Sequence, residues 1–293
     1  MNHVIFHKDC MDGLASAFIA HCSFLEAEEE AEFYPMHYSD VNNVYDIPLN
    51  EDDIVYILDF SLPEEMINEL SCKVDHIYII DHHKTAQFLI NLNIDNVSVD
   101  FDNEQSGAML TFYFFVDRGI NPLNPELFEY VQDRDLWKWE LPGSRDMSAA
   151  LALTVEKNNI ESFGNAYWLF KNGTKHGTDS FKKIGTIALD VQQKQVNEKI
   201  DKCFDIKLLG QHFKIINATE NISELGNAIC NKYDMPSIMF FYTSLDTVVL
   251  SFRSLDHLTD VSTVAKKFAG GGHRNASGAT ISSEMLNKIL SNK

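Results

Sequence analysis

The sequence predicts an α/β protein: a parallel-sheet N-terminal domain, a helical linker, and a smaller α/β domain at the C-terminal side. Three observations predict it. Short apolar runs alternate with helical patterns through the first half. A polar stretch with apolar residues every three or four positions occupies residues 187–203. A second series of apolar runs and helical patterns starts near residue 205. Strands alternating with helices are the pattern of βαβ units, whose strands lie parallel. The expected division is a first domain over 1–180, a helical linker over 181–204 and a second domain over 205–293.

Residues 3–6, HVIF, read as the first strand, followed by a helix over 12–28. DIVYILDF, 53–60, reads as the second strand, and the next helix has Ser61 as its N-cap and Pro63 in its first turn. HIYII, 76–80, is the third strand. An apolar helix over 106–119 stops at Gly119. Another begins with Asn124 as N-cap and Pro125 at the first helical position, and is expected to end near Asp133. Residues 150–203 read as helical throughout, with 187–203 as a long connecting helix. Beyond it, FKIINAT is a strand and SELGNAICNKY a helix. SIMFFYT and TVVLSFR pair as a hairpin across SLD, and DVSTVAKKFA is a helix capped by Asp260.

Bulk composition narrows the function classes. The chain has 293 residues, 45% of them hydrophobic, enough for a substantial core. No stretch approaches the roughly 18 apolar residues of a membrane-spanning helix. The start, MNHVIFHKDC, lacks the succession of a signal peptide. Five cysteines without a C-x-x-C pair suggest neither a disulfide framework nor a zinc ribbon. A cytoplasmic location is expected. The formal net charge of −19 and the lack of a basic stripe argue against a partner such as long duplex DNA. The acidic run LEAEEEAE, 25–32, reads as a solvated helix face. An anionic substrate would need a local offset to this field, which divalent cations supply.

The chemistry sits where the strands stop. The first is followed by His7, Asp9, Cys10 and Asp12; the second by Asp59; the third by Asp81, His82 and His83. In an open parallel sheet the C-terminal strand ends share one edge, where ligands bind. Any one of these residues alone is ordinary turn or cap chemistry; their recurrence at three strand ends is not. Carboxylates mixed with imidazoles suit manganese, magnesium, iron(II) or zinc. More than four candidate ligands points to two ions, as in enzymes that hydrolyse phosphoryl groups. Asp81 is placed to bridge them. In VQDRDLW, Asp133 and Asp135 cannot both cap the helix end, so one is available as a ligand; Trp137 and Trp139 read as packing.

Late in the chain comes AGGGHRNASGA. Gly270, Gly271 and Gly272 exceed what a helix C-cap needs, and together with His273 read as a phosphate cradle. Arg253 is a candidate for a bidentate phosphate contact.

Together these segments resemble the DHH phosphoesterase superfamily, in its two-domain form with a DHHA1-type C-terminal domain and nearest its nanoRNase and RecJ-like branch. IIDHHKT matches the motif that names the family; FHKDCMDGLASA, YILDFS and VQDRDLW resemble its first, second and fourth motifs. SFRS and GGGHRNASG resemble the substrate-binding signature of the C-terminal domain. The resemblance implies a two-manganese site held by His7, Asp12, Asp59, Asp81, His82 and Asp133, with Asp9 joining them. His83 would face the substrate and, with Asp81, serve catalysis. Cys10 stands where the family's first motif has an acid, and its role is left open.

The function expected is a manganese-dependent phosphodiesterase that hydrolyses short oligonucleotides or linear dinucleotides through a hydroxide activated by two metal ions. The alternatives are a phosphatase acting on 3′-phosphoadenosine-5′-phosphate and a nucleotide-binding regulator with a degenerate metal site. No membrane partner is expected, and a homodimer is compatible with the sequence.

Overall fold

The computed structural model describes residues 1–120, 123–172 and 177–291. Contacts divide it into two units, Met1–Leu189 and Asp190–Lys293.

The first unit opens with β1 (Asn2–His7), α1 (Met11–Glu26), β2 (Ala31–Met36), β3 (Ile54–Leu58) and α2 (Glu64–Ser71). There follow β4 (His76–Asp81), β5 (Val97–Phe101) and α3 (Gly107–Val116). Then come α4 (Glu126–Asp135), α5 (Ser144–Thr154) and α6 (Ile160–Asn172), and α7 (Gly177–Lys199) runs from this unit into the second. The five strands form one all-parallel sheet in the order β2-β1-β3-β4-β5. Side chains alternate across a strand, so each central strand feeds two cores. Val4, Phe6, Leu58 and Ile80 pack with α1, α3, α4 and α6 on one face. Ile5, Ile57, Ile77 and Ile79 pack with Ile67 and Leu70 of α2 on the other. Each such fully buried side chain contributes roughly 1.5–3 kcal/mol.

Several expectations change here. The acidic run is not one helix face: α1 ends at Glu26, a turn intervenes, and β2 starts at Ala31. Both edge strands, β2 and β5, escaped the sequence reading because they are half exposed and lack a continuous apolar run. Pro63, not Ser61, holds the N-cap position of α2. Pro125 takes that position in α4, although the Asn124 side chain still accepts from Glu126 N–H at 2.9 Å. That helix continues two residues past Asp133. Among the described residues, the helical stretch expected over 150–203 is three α-helices and a short 3-10 helix (Ile200–Lys202); its residues 173–176 lie outside the described residues, as do 292 and 293 of the second expected domain.

The second unit contains β6 (Phe204–Leu208), β7 (Gln211–Asn217), α8 (Ile222–Tyr233), β8 (Ser237–Tyr242) and β9 (Thr247–Arg253). It continues with α9 (Val261–Lys266), β10 (Gly271–Gly272), β11 (Ala276–Ser282) and α10 (Ser283–Leu290). Its six-stranded sheet runs β10-β11-β9-β8-β7-β6 and is antiparallel except for β7 beside β8, which α8 connects. The SIMFFYT–TVVLSFR hairpin forms with Ser237 opposite Arg253. Asp260 and Ser282 cap the following helices through their side chains. Among the described residues, no helix is long and apolar enough to cross a membrane.

Candidate metal centre

Parallel register brings the candidate ligands together. Phe6 pairs with Leu58 and Leu58 with Ile80, so the next residues, His7, Asp59 and Asp81, emerge level with one another at one sheet edge. Asp59 leaves its strand with φ of +52°, a left-handed conformation that Asp tolerates better than most residues. Asp59, Asp81 and His82 are at most 1% exposed.

Distances define two neighbouring clusters. His7 Nδ1 lies 3.5 Å from Asp59 Oδ2, and His83 Nδ1 lies 3.9 Å from Asp59 Oδ1. His82 Nε2 lies 3.0 Å from Asp59 Oδ1, 3.6 Å from Asp12 Oδ2 and 3.5 Å from Asp135 Oδ2. In each of the triads His7–Asp59–His83 and Asp12–Asp59–His82, one ligand atom per residue falls within 4.8 Å of the others. Asp59 is common to both triads, and Asp81 belongs to neither. Asp81 does a different job. Its Oδ1 accepts from the His83 ring at 2.7 Å and from the His82 and His83 backbone N–H groups at 2.8 and 3.1 Å.

Asp12 is held from outside the sheet. The Gly107 and Ala108 N–H groups, at the start of α3, donate to its carboxylate at 2.6 and 3.1 Å. That approach requires glycine at 107. A Cβ there would sit 2.5 Å from Asp59 Cβ and 2.9 Å from its Cα. Gly107→Ala is therefore expected to displace Asp59 and weaken manganese binding by about 10–100-fold, the usual cost of disturbing groups that orient ligands. Calorimetric titration with Mn²⁺ checks this; unchanged affinity would contradict it.

The centre fits divalent cations. His7 Nδ1, Asp59 Oδ2, Asp81 Oδ2 and Asp135 Oδ2 are buried without a hydrogen-bond partner among the described residues. Buried polar atoms are rarely left so. Negative charge is also in excess. Burial and the charges of Asp59 and Asp135 push the Asp12 carboxyl well above its usual range. Burial opposes ionisation at Asp59 too, but His7 and His82 hold it well below that range. Burial likewise works against a charged His82, yet its hydrogen bond to Asp59 and the charges of Asp135, Asp59 and Asp12 raise it to about 10.

His82 and Asp12 bind protons more tightly folded than unfolded, so stability without a divalent cation falls as pH rises. The His82 contribution is complete below its ordinary value of 6.5 and is lost through about 10. The melting temperature in chelator is expected to drop across that window, and Mn²⁺ to flatten the drop by replacing the proton. A level profile in chelator would contradict the pairing.

Residues 205–292 match the DHHA1 domain model. The chain is 30% identical over 298 residues to uncharacterized protein R106 of Acanthamoeba polyphaga mimivirus, covering 95% of this chain and 67% of that one. It is 26% identical over 311 residues to oligoribonuclease NrnB of Bacillus subtilis (strain 168), covering 97% and 74%. The chain belongs to the DHH/DHHA1 phosphoesterase superfamily. Its fold is also that of RecJ in complex with Mn²⁺ from Thermus thermophilus, with a TM-score of 0.52 at 12% identity, over 99% of this chain and 51% of that one.

In this DHH/DHHA1 chain, not every residue proposed from the sequence reaches the centre. Asp9 is exposed, with φ of +58°, and its carboxylate accepts from Asn158 at 3.1 Å. Asp133 is buried, but its carboxylate accepts from the Glu140 and Leu141 N–H groups at 2.9 and 3.3 Å; Asp135 is the acid beside His82. A signal for Asp135 was present: it lies four residues after Val131 and seven after Phe128, on the buried stripe of α4. The sequence leaves Asp133 and Asp135 open as the ligand, and the family resemblance favours Asp133. Cys10 belongs to neither triad, and burial with the charges of Asp59, Asp135 and Asp12 keeps its thiol protonated.

The DHHA1 residues are placed differently from a free loop. Gly271 and Gly272 pair with Gly278 and Ser277 in a hairpin, and His273 begins its turn. Of the three glycines only Gly272 has positive φ, +127°. The space a Cβ would need at Gly270 is taken by Ala279 Cβ, 2.7 Å away, so close strand packing accounts for that glycine. The Arg253 guanidinium donates to Phe252 O at 2.8 Å and to Ser223 Oγ at 2.7 Å.

Proposed function

We propose that the chain is a divalent-metal-dependent phosphodiesterase that cuts short oligonucleotides or linear dinucleotides to mononucleotides. The observation that carries this reading is the pair of triads, buried except for half-buried His7, that share Asp59 at the C-terminal edge of the sheet. His7, Asp59 and His83 would hold one cation; Asp12, Asp59, His82 and Asp135 would hold the other. Bound divalent cations supply Lewis acidity toward the phosphoryl oxygens and make a water acidic near neutral pH. Manganese is the favoured metal, and its presence in the RecJ complex supports that choice.

The protein's own groups do the positioning. Asp81 fixes the His83 ring through its Nδ1. Helix α3 holds Asp12 in place through two N–H donors. In the second unit, His273, at the head of the glycine hairpin, and Arg253 are the candidates for contacting a terminal phosphate. A net charge of −19 disfavours long polyanions and leaves short ones as substrate. The similarity to an oligoribonuclease supports the same class.

End-labelled oligonucleotides of two to twenty residues, followed with Mn²⁺ and with Mg²⁺, test the proposal. Faster loss of the shortest substrates, with mononucleotide release, is the expected result. Release of inorganic phosphate from 3′-phosphoadenosine-5′-phosphate, with intact oligonucleotides, would replace it with the phosphatase alternative.

A further inference from the structure

The loop that follows Asp135 is under strain. Trp137 and Trp139 both adopt left-handed backbone conformations, with φ of +58° and +57°. Bulky side chains rarely do this, and such strain gathers at ligand sites. The loop is held there by specific bonds. The Asp133 carboxylate accepts from Glu140 and Leu141 N–H, and its backbone carbonyl accepts from Lys138 and Trp139 N–H at 2.9 and 3.4 Å. This staple accounts for the burial of Asp133 and throws both indoles out of the helical path.

The indoles meet edge to face with ring centroids 5.0 Å apart, and both are half-buried. Arg134 lies 4.8 Å from the Trp137 ring and Arg145 lies 4.2 Å from the Trp139 ring. Trp139 Nε1 is a buried donor with no hydrogen-bond partner among the described residues. Between 134 and 145 stand three basic side chains, Arg134, Lys138 and Arg145, against two acidic ones, in a chain whose net charge is −19. Aromatic planes, stacked guanidinium groups, an unused N–H donor and a local basic excess together describe a surface for a nucleotide, whose base stacks and whose oxygens accept.

We propose that the Trp137–Trp139 loop is the shelf for the base next to the cleaved phosphate, and so sets the preference for nucleotides over other phosphoesters. The inference rests on the phosphodiesterase reading, because Asp135 ties the loop to the metal centre. Trp137 supplies the stacking plane, and Trp139 packs edge to face against it.

Binding can test this apart from turnover. The protein holds three tryptophans, and Trp168, on α6, is 41% exposed, so Trp168→Phe leaves the loop pair as the fluorescent reporters. In Mn²⁺ buffer, adenosine 5′-monophosphate should quench this signal and bind at least about tenfold more tightly than ribose 5-phosphate, the size expected of one stacked base. Trp137→Leu should bring the two affinities close to equality, and Trp137→Phe, which keeps a ring, should restore most of the difference. Equal affinity of the two probes for the tryptophan-bearing protein would overturn the proposal, as would an undiminished preference in Trp137→Leu. Oligonucleotide hydrolysis by the unaltered protein is measured separately, so failure of the shelf and failure of the phosphodiesterase reading give different results.

Discussion

Asp59→Asn is expected to abolish oligonucleotide hydrolysis in manganese while leaving the chain folded. Asp59 alone belongs to both triads, so one substitution removes negative charge from both candidate cation positions. Asparagine is nearly isosteric and accepts the left-handed backbone at φ of +52°, so the turn after β3 should persist. The loss in turnover should be at least that of deleting one electrostatic contact to a transition state, roughly 10²–10³-fold. Manganese titration should show weakened binding, and circular dichroism a preserved fold. Wild-type turnover with full metal binding would remove Asp59 from the centre.

The second large effect separates two acids that stand two residues apart. Asp135→Asn should lower turnover by about 10²-fold and weaken manganese binding, because Asp135 Oδ2 lies 3.5 Å from His82 Nε2 and has no hydrogen-bond partner among the described residues. Asp133→Asn should act on stability instead. Glu140 and Leu141 N–H donate to different Asp133 oxygens; asparagine keeps one acceptor and turns an NH2 toward the other N–H, a loss of about 1–3 kcal/mol for a buried site. Its melting temperature should fall, while the folded protein still binds manganese. The reverse pattern would return Asp133 to the ligand set. Chemical denaturation and metal titration on both variants decide between them.

The sequence carried the centre of this site because the parallel sheet turned a one-dimensional pattern into a place. Once three apolar runs are read as strands, His7, Asp59 and Asp81 must share an edge, and His82 and His83 follow. What escaped depended on backbone direction or distant pairing. Asp9 turns outward on a left-handed residue, and no composition rule foretells that. Asp135 was open beside Asp133, and only the packing of α4 against His82 separates the two. The role of Gly107 rests on contact with Asp59, forty-eight positions earlier in the chain. The glycine triplet suggested a cradle, but its pairing with β11 is tertiary. The same limit hid the Trp137–Trp139 loop, whose indoles looked like ordinary packing until the strain and the unused N–H were visible.

Helix α3 carries no ligand, yet its first turn grips Asp12 and lies against Asp59, while its apolar body is sunk into the main core through Leu110, Phe112 and Phe115. Occupancy of the centre is thereby geared to the seating of a greasy cylinder. Mild heating that loosens this cylinder should weaken Mn²⁺ binding at the candidate centre at temperatures where calorimetry still records an intact sheet.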